Sequence, residues 1–418
     1  MAAGKAIIEW QWTPSEPVAA GLVDLARRAA LAAPDEPGNW VHLVNLVTLF
    51  EGQKAGLEAA AEGLERCPDD SRLRLLAAER LRALGEFERA IEQCERALRA
   101  DPTNRQALLV QIGLKVKTGE LETAQSLVGD AAAAEAGDSS IFEYLAARLA
   151  EPGAADEMLE RCEAALAKEG PFGQAVYFKA LALAKLGQAQ AAKETLSLER
   201  NVKVSTPPPP PTYADDGSFL DAVADEILRQ PSLSQDPRGK ATAGGRQTET
   251  LGDKDGPALA ALFALIRSAV QDYAEDLKSS GEPLPAHFPL TCSMQSWSVV
   301  VGPEGRQRAH RHPDGWLSGV YYVRAPKQEQ DGRYSGDLLL GAVEESSGIG
   351  PPPWGILHVE PVPGRLVIFP SYVPHATEAS RAAGERISVA FDVILTGKGM
   401  AANPDAERPV GSATLRSP

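Results

Sequence analysis

The chain has 418 residues, 57 acidic against 42 basic side chains for a net charge of −15, and a hydrophobic fraction of 44%. That apolar fraction excludes whole-chain disorder, and the length predicts two or three domains. The acidity is shared: residues 1–200 hold 31 acids and 22 bases (−9) and residues 201–418 hold 26 and 20 (−6), so neither half has the basic balance that nucleic acid or an anionic membrane demands.

The N-terminus, MAAGKAIIEWQWTP, lacks the apolar stretch of a signal peptide, and no run of about 18 apolar residues exists to span a bilayer. The four cysteines, Cys67, Cys94, Cys162 and Cys292, lie far apart with no CxxC pair, which suggests neither a zinc site nor a disulfide framework. A cytoplasmic protein is therefore expected, with no nucleic-acid or membrane partner.

Residues 1–200 are rich in Ala, Leu, Glu and Arg, which favour helix. Pro34, Pro68 and Pro102 fall 34 residues apart beside aspartates, and Gly137-Asp138 and Pro171 continue the grid. A glycine follows each by 16–18 residues: Gly52, Gly85, Gly119, Gly153 and Gly187. Proline suits a helix start and glycine a helix end, so each unit reads as helix–turn–helix. In LRALGEFERAIEQCERALRADP, Phe87, Ala90, Ile91, Cys94 and Ala97 share one helical face. This pattern resembles the tetratricopeptide repeat over about residues 34–200. The alternative, accidental spacing in a plain bundle, is disfavoured by five paired markers in register. Cys67, Cys94 and Cys162 read as small buried hydrophobes. Such solenoids usually present a concave face to a protein segment, and some are only spacers.

NVKVSTPPPPPTY, residues 201–213, contains five consecutive prolines and reads as a stiff linker. Beyond it, residues 218–231 and 257–280 read as amphipathic helices, separated by a Gly-rich polar stretch. Then SWSVVV, LSGVYYV, DLLLGAV, GILHVEPV, RLVIFP and ISVAFDVIL predict short strands of a sandwich or jelly roll. The polar last 20 or so residues predict a disordered tail.

Four of the six histidines, His42, His287, His310, His312, His358 and His375, fall in the strand-rich segment. Strand alternation puts residues i and i+2 on one face, so His310 and His312, or His312 and Asp314, can converge on one metal ion. His375 follows the strand GRLVIFP, Arg386 comes eleven residues later, and Ser388 shares the face of Arg386. His42, His287 and His358 read as ordinary surface or core residues, and Trp297 and Trp316 as packing residues.

His-x-(Asp or His), a distal His and an Arg about ten residues on resemble the 2-oxoglutarate- and Fe(II)-dependent oxygenases. HxHPxxWLSGVYYV, GRLVIFPSYVPH, ERIS and the GGRQT of Gly244–Thr248 resemble a prolyl-hydroxylase-like bacterial branch, some members of which carry tetratricopeptide repeats ahead of the oxygenase. The resemblance spans about residues 215–396. It implies a multidomain α and β chain: an all-α tetratricopeptide solenoid (1–200), a Pro-rich linker (201–214), a double-stranded β-helix or jelly roll with flanking helices (215–396) and a disordered tail (397–418). It implies Fe(II) held by His375 and two of His310, His312 and Asp314, with both registers open. It implies 2-oxoglutarate held by Arg386, Ser388 and Tyr322 (or Tyr321), and O2 as cosubstrate. Arginine suits a carboxylate because its planar fork grips both oxygens.

The implied activity is hydroxylation of a C–H bond with succinate and CO2 as coproducts, and the solenoid points by analogy to a peptide or protein substrate. Two competitors are an interaction scaffold with an inactive jelly roll, and a cupin-type metal dioxygenase without 2-oxoglutarate. Gly244–Thr248 reads as a flexible loop, or as a lid over the iron.

Overall fold

A computed structural model describes residues 7–10, 16–130, 153–169, 173–236, 240–280, 290–312, 315–327, 332–344 and 347–395. The repeat markers Gly137-Asp138 and Pro171, His287, Asp314 and the tail 397–418 lie outside these described residues.

Helices α1 (Glu16–Ala32), α2 (Pro37–Glu51), α3 (Gln53–Arg66), α4 (Ser71–Ala83), α5 (Phe87–Ala100), α6 (Arg105–Lys117) and α7 (Leu121–Asp130) pack in succession. Helices α8 (Ala154–Glu169), α9 (Gln174–Lys185), α10 (Ala189–Thr195) and the short α11 (Leu198–Asn201) follow. Asp70 and Asn104, each two residues after a marker proline, cap α4 and α6: their side chains accept from the N–H groups of Leu73 (2.9 Å) and Ala107 (3.0 Å). The five predicted turn glycines all adopt left-handed backbone, with φ of 98°, 75°, 83°, 81° and 75° in chain order. At Gly85 this lets the Glu86 N–H reach back to the Leu81 carbonyl (2.9 Å), closing the helix end. Ala90, Ile91, Cys94 and Ala97 are buried along α5, as their spacing predicts. Cys94, Cys162 and Cys292 are buried, whereas Cys67 is half-exposed.

The C-terminal half is a mainly antiparallel β domain of two sheets. Its strands are β1 (Ile8–Trp10), β2 (Lys203–Ser205), β3 (Ser234–Gln235), β4 (Thr242–Gln247), β5 (Leu290–Gln307), β6 (Leu317–Arg324), β7 (Leu338–Leu340), β8 (Leu357–Val359), β9 (Leu366–Pro370), β10 (His375–Thr377) and β11 (Arg386–Leu395). The larger sheet runs β2-β9-β6-β11-β5-β4-β3, with β1 added parallel to β5. The smaller sheet runs β10-β7-β8. Helices α12 (Asp216–Leu228) and α13 (Pro257–Ser280) cover one face of the larger sheet, burying Phe219, Phe263 and Ile266 among Tyr321, Ile368, Val389 and Phe391.

Three segments depart from expectation. Ile8–Trp10, placed with the helices, pairs with Leu290–Cys292 in the sheet. Lys203–Ser205, placed in the linker, is an edge strand on β9. Gly244–Gln247 is neither a loop nor a lid but part of β4, where Gly245 lies opposite Val301. A Cβ at Gly245 would sit 2.6 Å from Val301 Cγ1 and 2.9 Å from the Val300 carbonyl, so the glycine marks close backbone approach, which local composition does not distinguish from a flexible stretch.

The two halves share one apolar cluster. Leu109, Met158, Tyr177, Phe178, Leu183 and Leu196 of the helical half pack with Leu338, Leu340, Trp354, Val359, Val367 and Phe369 of the β domain. No described helix is long and apolar enough to cross a membrane.

Gly119 has φ 83°, and nothing lies within 4 Å of the place a Cβ would take, so only its backbone conformation resists substitution. Gly119→Ala is expected to cost about 1–2 kcal/mol, read as a lowered midpoint in thermal denaturation.

Candidate active site

Strand alternation on the larger sheet separates core from cavity. On β11, Ile387, Val389, Phe391 and Val393 point into the helix-covered core. Arg386, Ser388 and Ala390 line a cavity together with Trp297 of β5, Val320 and Tyr322 of β6 and Phe369 of β9. The smaller sheet closes the other side with Leu338, His375 and Thr377.

His310, His312 and His375 meet in this cavity, with one ring nitrogen of each lying within 4.8 Å of the others. Backbone pairing makes this possible. The His310 N–H donates to the His375 carbonyl (2.9 Å), the His375 N–H donates back (3.0 Å), and the His312 N–H donates to the Ser371 carbonyl (3.3 Å). Each ring is held through Nδ1, by the carbonyls of Arg308 (2.7 Å) and Val373 (3.1 Å) for His310 and His375, and by Asp392 Oδ2 (2.7 Å) for His312. A carbonyl can only accept, so Nδ1 carries the proton and the Nε2 lone pair is left for a metal ion.

Burial and the neighbouring His312 push the His310 pKa down to about 3. Burial, then His310 and His312, hold His375 well below the usual histidine range. Both rings therefore stay neutral, the form that binds metal. Trp297 stacks on His312, centroids 5.5 Å apart and planes 19° apart, so it packs as expected but against a site residue.

The sequence reading missed Asp392, which lies in the middle of an apolar strand. Its carboxylate accepts from the His312 Nδ1–H on Oδ2 and from the Ser318 hydroxyl on Oδ1 (2.6 Å), and Ser318 also meets Ser371 (2.8 Å). The signal was available: a lone acid inside ISVAFDVIL sits an even number of residues from Arg386 and Ser388, hence on their face.

Arg386 is 2% exposed. It donates to the carbonyls of Gly336 and Glu378 and to Thr377 Oγ1 (2.8 Å), and no carboxylate among the described residues forms an ion pair with it. Burial lowers its pKa. Tyr322 is fully enclosed on the cavity face with no hydrogen-bond partner for its hydroxyl, and burial pushes its pKa up to about 12 despite the opposing charge of Arg386. Tyr321 points the other way and packs edge-on against Phe219 at 6.4 Å, so of the two tyrosines it is Tyr322 that faces the cavity. Ser388 is buried and pairs across the sheet with Tyr322.

Asp337 acts on Arg386 only at longer range. A buried cation with no ion pair and a buried hydroxyl with no partner among the described residues are both costly unless an outside group satisfies them. A carboxylate fits both, and three imidazoles with their Nε2 atoms free fit a divalent transition metal.

His42 and His358 are exposed and stand apart from this cavity, as expected. His358 lies 3.8 Å from Asp337 and near Glu378 on the outer side of the smaller sheet, but two of these three side chains are exposed.

Residues 295–392 match the family described as "Putative 2OG-Fe(II) oxygenase", and residues 81–149 match the tetratricopeptide repeat. No curated protein matches the chain. Among solved structures, it is similar to a Pseudomonas putida prolyl-4-hydroxylase, at 17% identity over 50% of this chain and 100% of that one, TM-score 0.34. It is similar to YrrB, a TPR protein with an unusual peptide-binding site, at 17% identity over 42% and 93%, TM-score 0.36. It is also similar to an oxidoreductase of the 2OG-Fe(II) oxygenase family from Burkholderia pseudomallei, at 12% identity over 49% and 89%, TM-score 0.31. Residues 295–392 thus match a 2OG-Fe(II) oxygenase domain, and residues 81–149 match tetratricopeptide repeats.

Proposed function

We propose that the protein is an Fe(II)- and 2-oxoglutarate-dependent dioxygenase that hydroxylates a C–H bond on a peptide or protein side chain. His310, His312 and His375 hold the metal through Nε2, and Asp392 orients the His312 ring by accepting from its Nδ1–H. Arg386 pairs with the far carboxylate of 2-oxoglutarate. Tyr322 donates its hydroxyl to the same group, and Ser388 adds a further hydrogen bond. Iron and 2-oxoglutarate, when bound, supply the oxidising power: O2 and 2-oxoglutarate become CO2 and succinate while the second oxygen atom enters the C–H bond. The protein's own work is to fix these groups and to keep water out of a cavity walled by Trp297, Val320, Leu338 and Phe369.

The observation that supports this reading is the pairing, in one cavity, of three Nδ1-tethered histidines with a buried arginine that forms no ion pair among the described residues. A dioxygenase that does not use 2-oxoglutarate has no need of Arg386, and a scaffold has no need of the histidines. The tetratricopeptide repeats support a peptide or protein as the substrate class. We further propose that the oxygenase unit spans residues 215–396 and the helical unit residues 1–200, with Ile8–Trp10 and Lys203–Ser205 reaching across as strands of the sheet.

Anaerobic titration is expected to show Fe(II) binding and then 2-oxoglutarate binding, with succinate released on admitting air; no cosubstrate binding at millimolar concentration overturns the reading. Arg386→Ala is expected to weaken 2-oxoglutarate binding by about 30-fold or more while iron still binds, because leaving a buried carboxylate unpaired costs about 2–5 kcal/mol. Asp392→Asn is expected to weaken Fe(II) binding about 10–100-fold by isothermal titration calorimetry. Gly336 has φ 90°, and a Cβ there would collide with Arg386 Nη1, so Gly336→Ala is expected to raise the Kd for 2-oxoglutarate and leave that for iron unchanged.

A further inference from the structure

His310 and His312 flank Arg311, and strand-like alternation turns Arg311 away from the cavity. It turns into the helical half. Its guanidinium carbon lies 4.2 Å from the ring centre of Tyr177 and 4.6 Å from that of Phe178, and it donates to the Gln174 side-chain oxygen. All three partners belong to α9, and all three are buried. A guanidinium held over two aromatic rings and bonded at its edge has one orientation, which lysine cannot reproduce.

The same helix reaches the third histidine by another route. Tyr177 packs edge-on against Trp354 at 6.5 Å, and Trp354 Nε1 donates to the Gly341 carbonyl at 3.0 Å. The Gly341 N–H donates to the carbonyl of Pro374 at 2.7 Å, one residue before His375. Gly341 has φ 92°, and a Cβ there would press on the Gly355 carbonyl and on Leu198, so this joint is closely fitted. Both chain segments that bear the histidines are thus docked on one helix of the solenoid.

We propose that Arg311 is a positioning residue for the metal centre, and that α9 sets the metal affinity by holding it. The inference rests on His310, His312 and His375 being the ligands. It gives the last part of the solenoid a role besides partner contact: the oxygenase site is incomplete without it.

The test uses the full chain and measures Co(II) and Fe(II) affinity anaerobically by calorimetry, beside metal-free thermal unfolding. Arg311→Met and Tyr177→Leu are each expected to weaken metal binding about tenfold, the size usual for groups that orient a ligand, while the metal-free unfolding transition is retained. The double variant is expected to lose less than the product of the two single losses, because the two changes share the Arg311–Tyr177 contact. Tyr177→Phe keeps the ring and is expected to bind like the wild type. Arg311→Met within about twofold of wild type, or effects that multiply in the double variant, overturns the proposal. His375→Ala separates the two readings. Wild-type binding that is lost in His375→Ala but kept in Arg311→Met sinks this inference alone, whereas a wild type that binds no metal sinks the ligand assignment and this inference with it.

Discussion

The site depends on the two-residue period of β11. Between β5 and β6, this strand sends Ile387, Val389, Phe391 and Val393 into a dry core and turns Arg386, Ser388, Ala390 and Asp392 the other way. A slip of one residue would exchange the two sets, burying a guanidinium and a carboxylate among aliphatic side chains. The core therefore enforces the register, and the register delivers the chemistry. Arg386 and Asp392 lie six residues apart, roughly 20 Å along an extended strand, so one strand places a buried guanidinium and the His312 partner at separate stations of one cavity.

A second dependence crosses the molecule. The five prolines of residues 207–211 read as a stiff spacer between independent units. The chain is nevertheless tied on both sides of them: Val204 pairs with Val367 before, and Tyr213 packs on Phe219 at 4.9 Å after. Across the gap, Tyr273 donates to the Asn201 carbonyl at 2.6 Å, and Lys185 donates to the Gly348 carbonyl at 3.0 Å. With a continuous apolar cluster beneath, the helical and β halves meet as packed layers rather than as tethered beads.

The parts of this structure legible in the chain were those with a local physical cause. A glycine at a helix end is needed where φ is positive, so five of them at a fixed period announced the repeat before any contact was known. Six apolar runs announced six strands because each run matches a pleat. His310, His312, His375 and Arg386, which line one cavity, stood out as candidates because few side chains suit a transition metal and a carboxylate. Asp392 was obscured by its apolar neighbours, and β4 by its glycines, which look like a loop until Val301 is found lying against one of them. Ile8–Trp10 gave no sign of leaving the helices, since a three-residue strand has too short a pattern to read.

By itself, the sequence determined the elements, the repeat period and the residue types of the site, because propensity, turn geometry and ligand chemistry act over a few residues. Only the tertiary structure decided which tyrosine faces the cavity, which carboxylate holds His312, and that Arg311 rests on Tyr177 and Phe178. Those outcomes join residues 80 and some 134 positions apart, and such distant pairs are selected by packing and by the burial of charge, which no local pattern encodes.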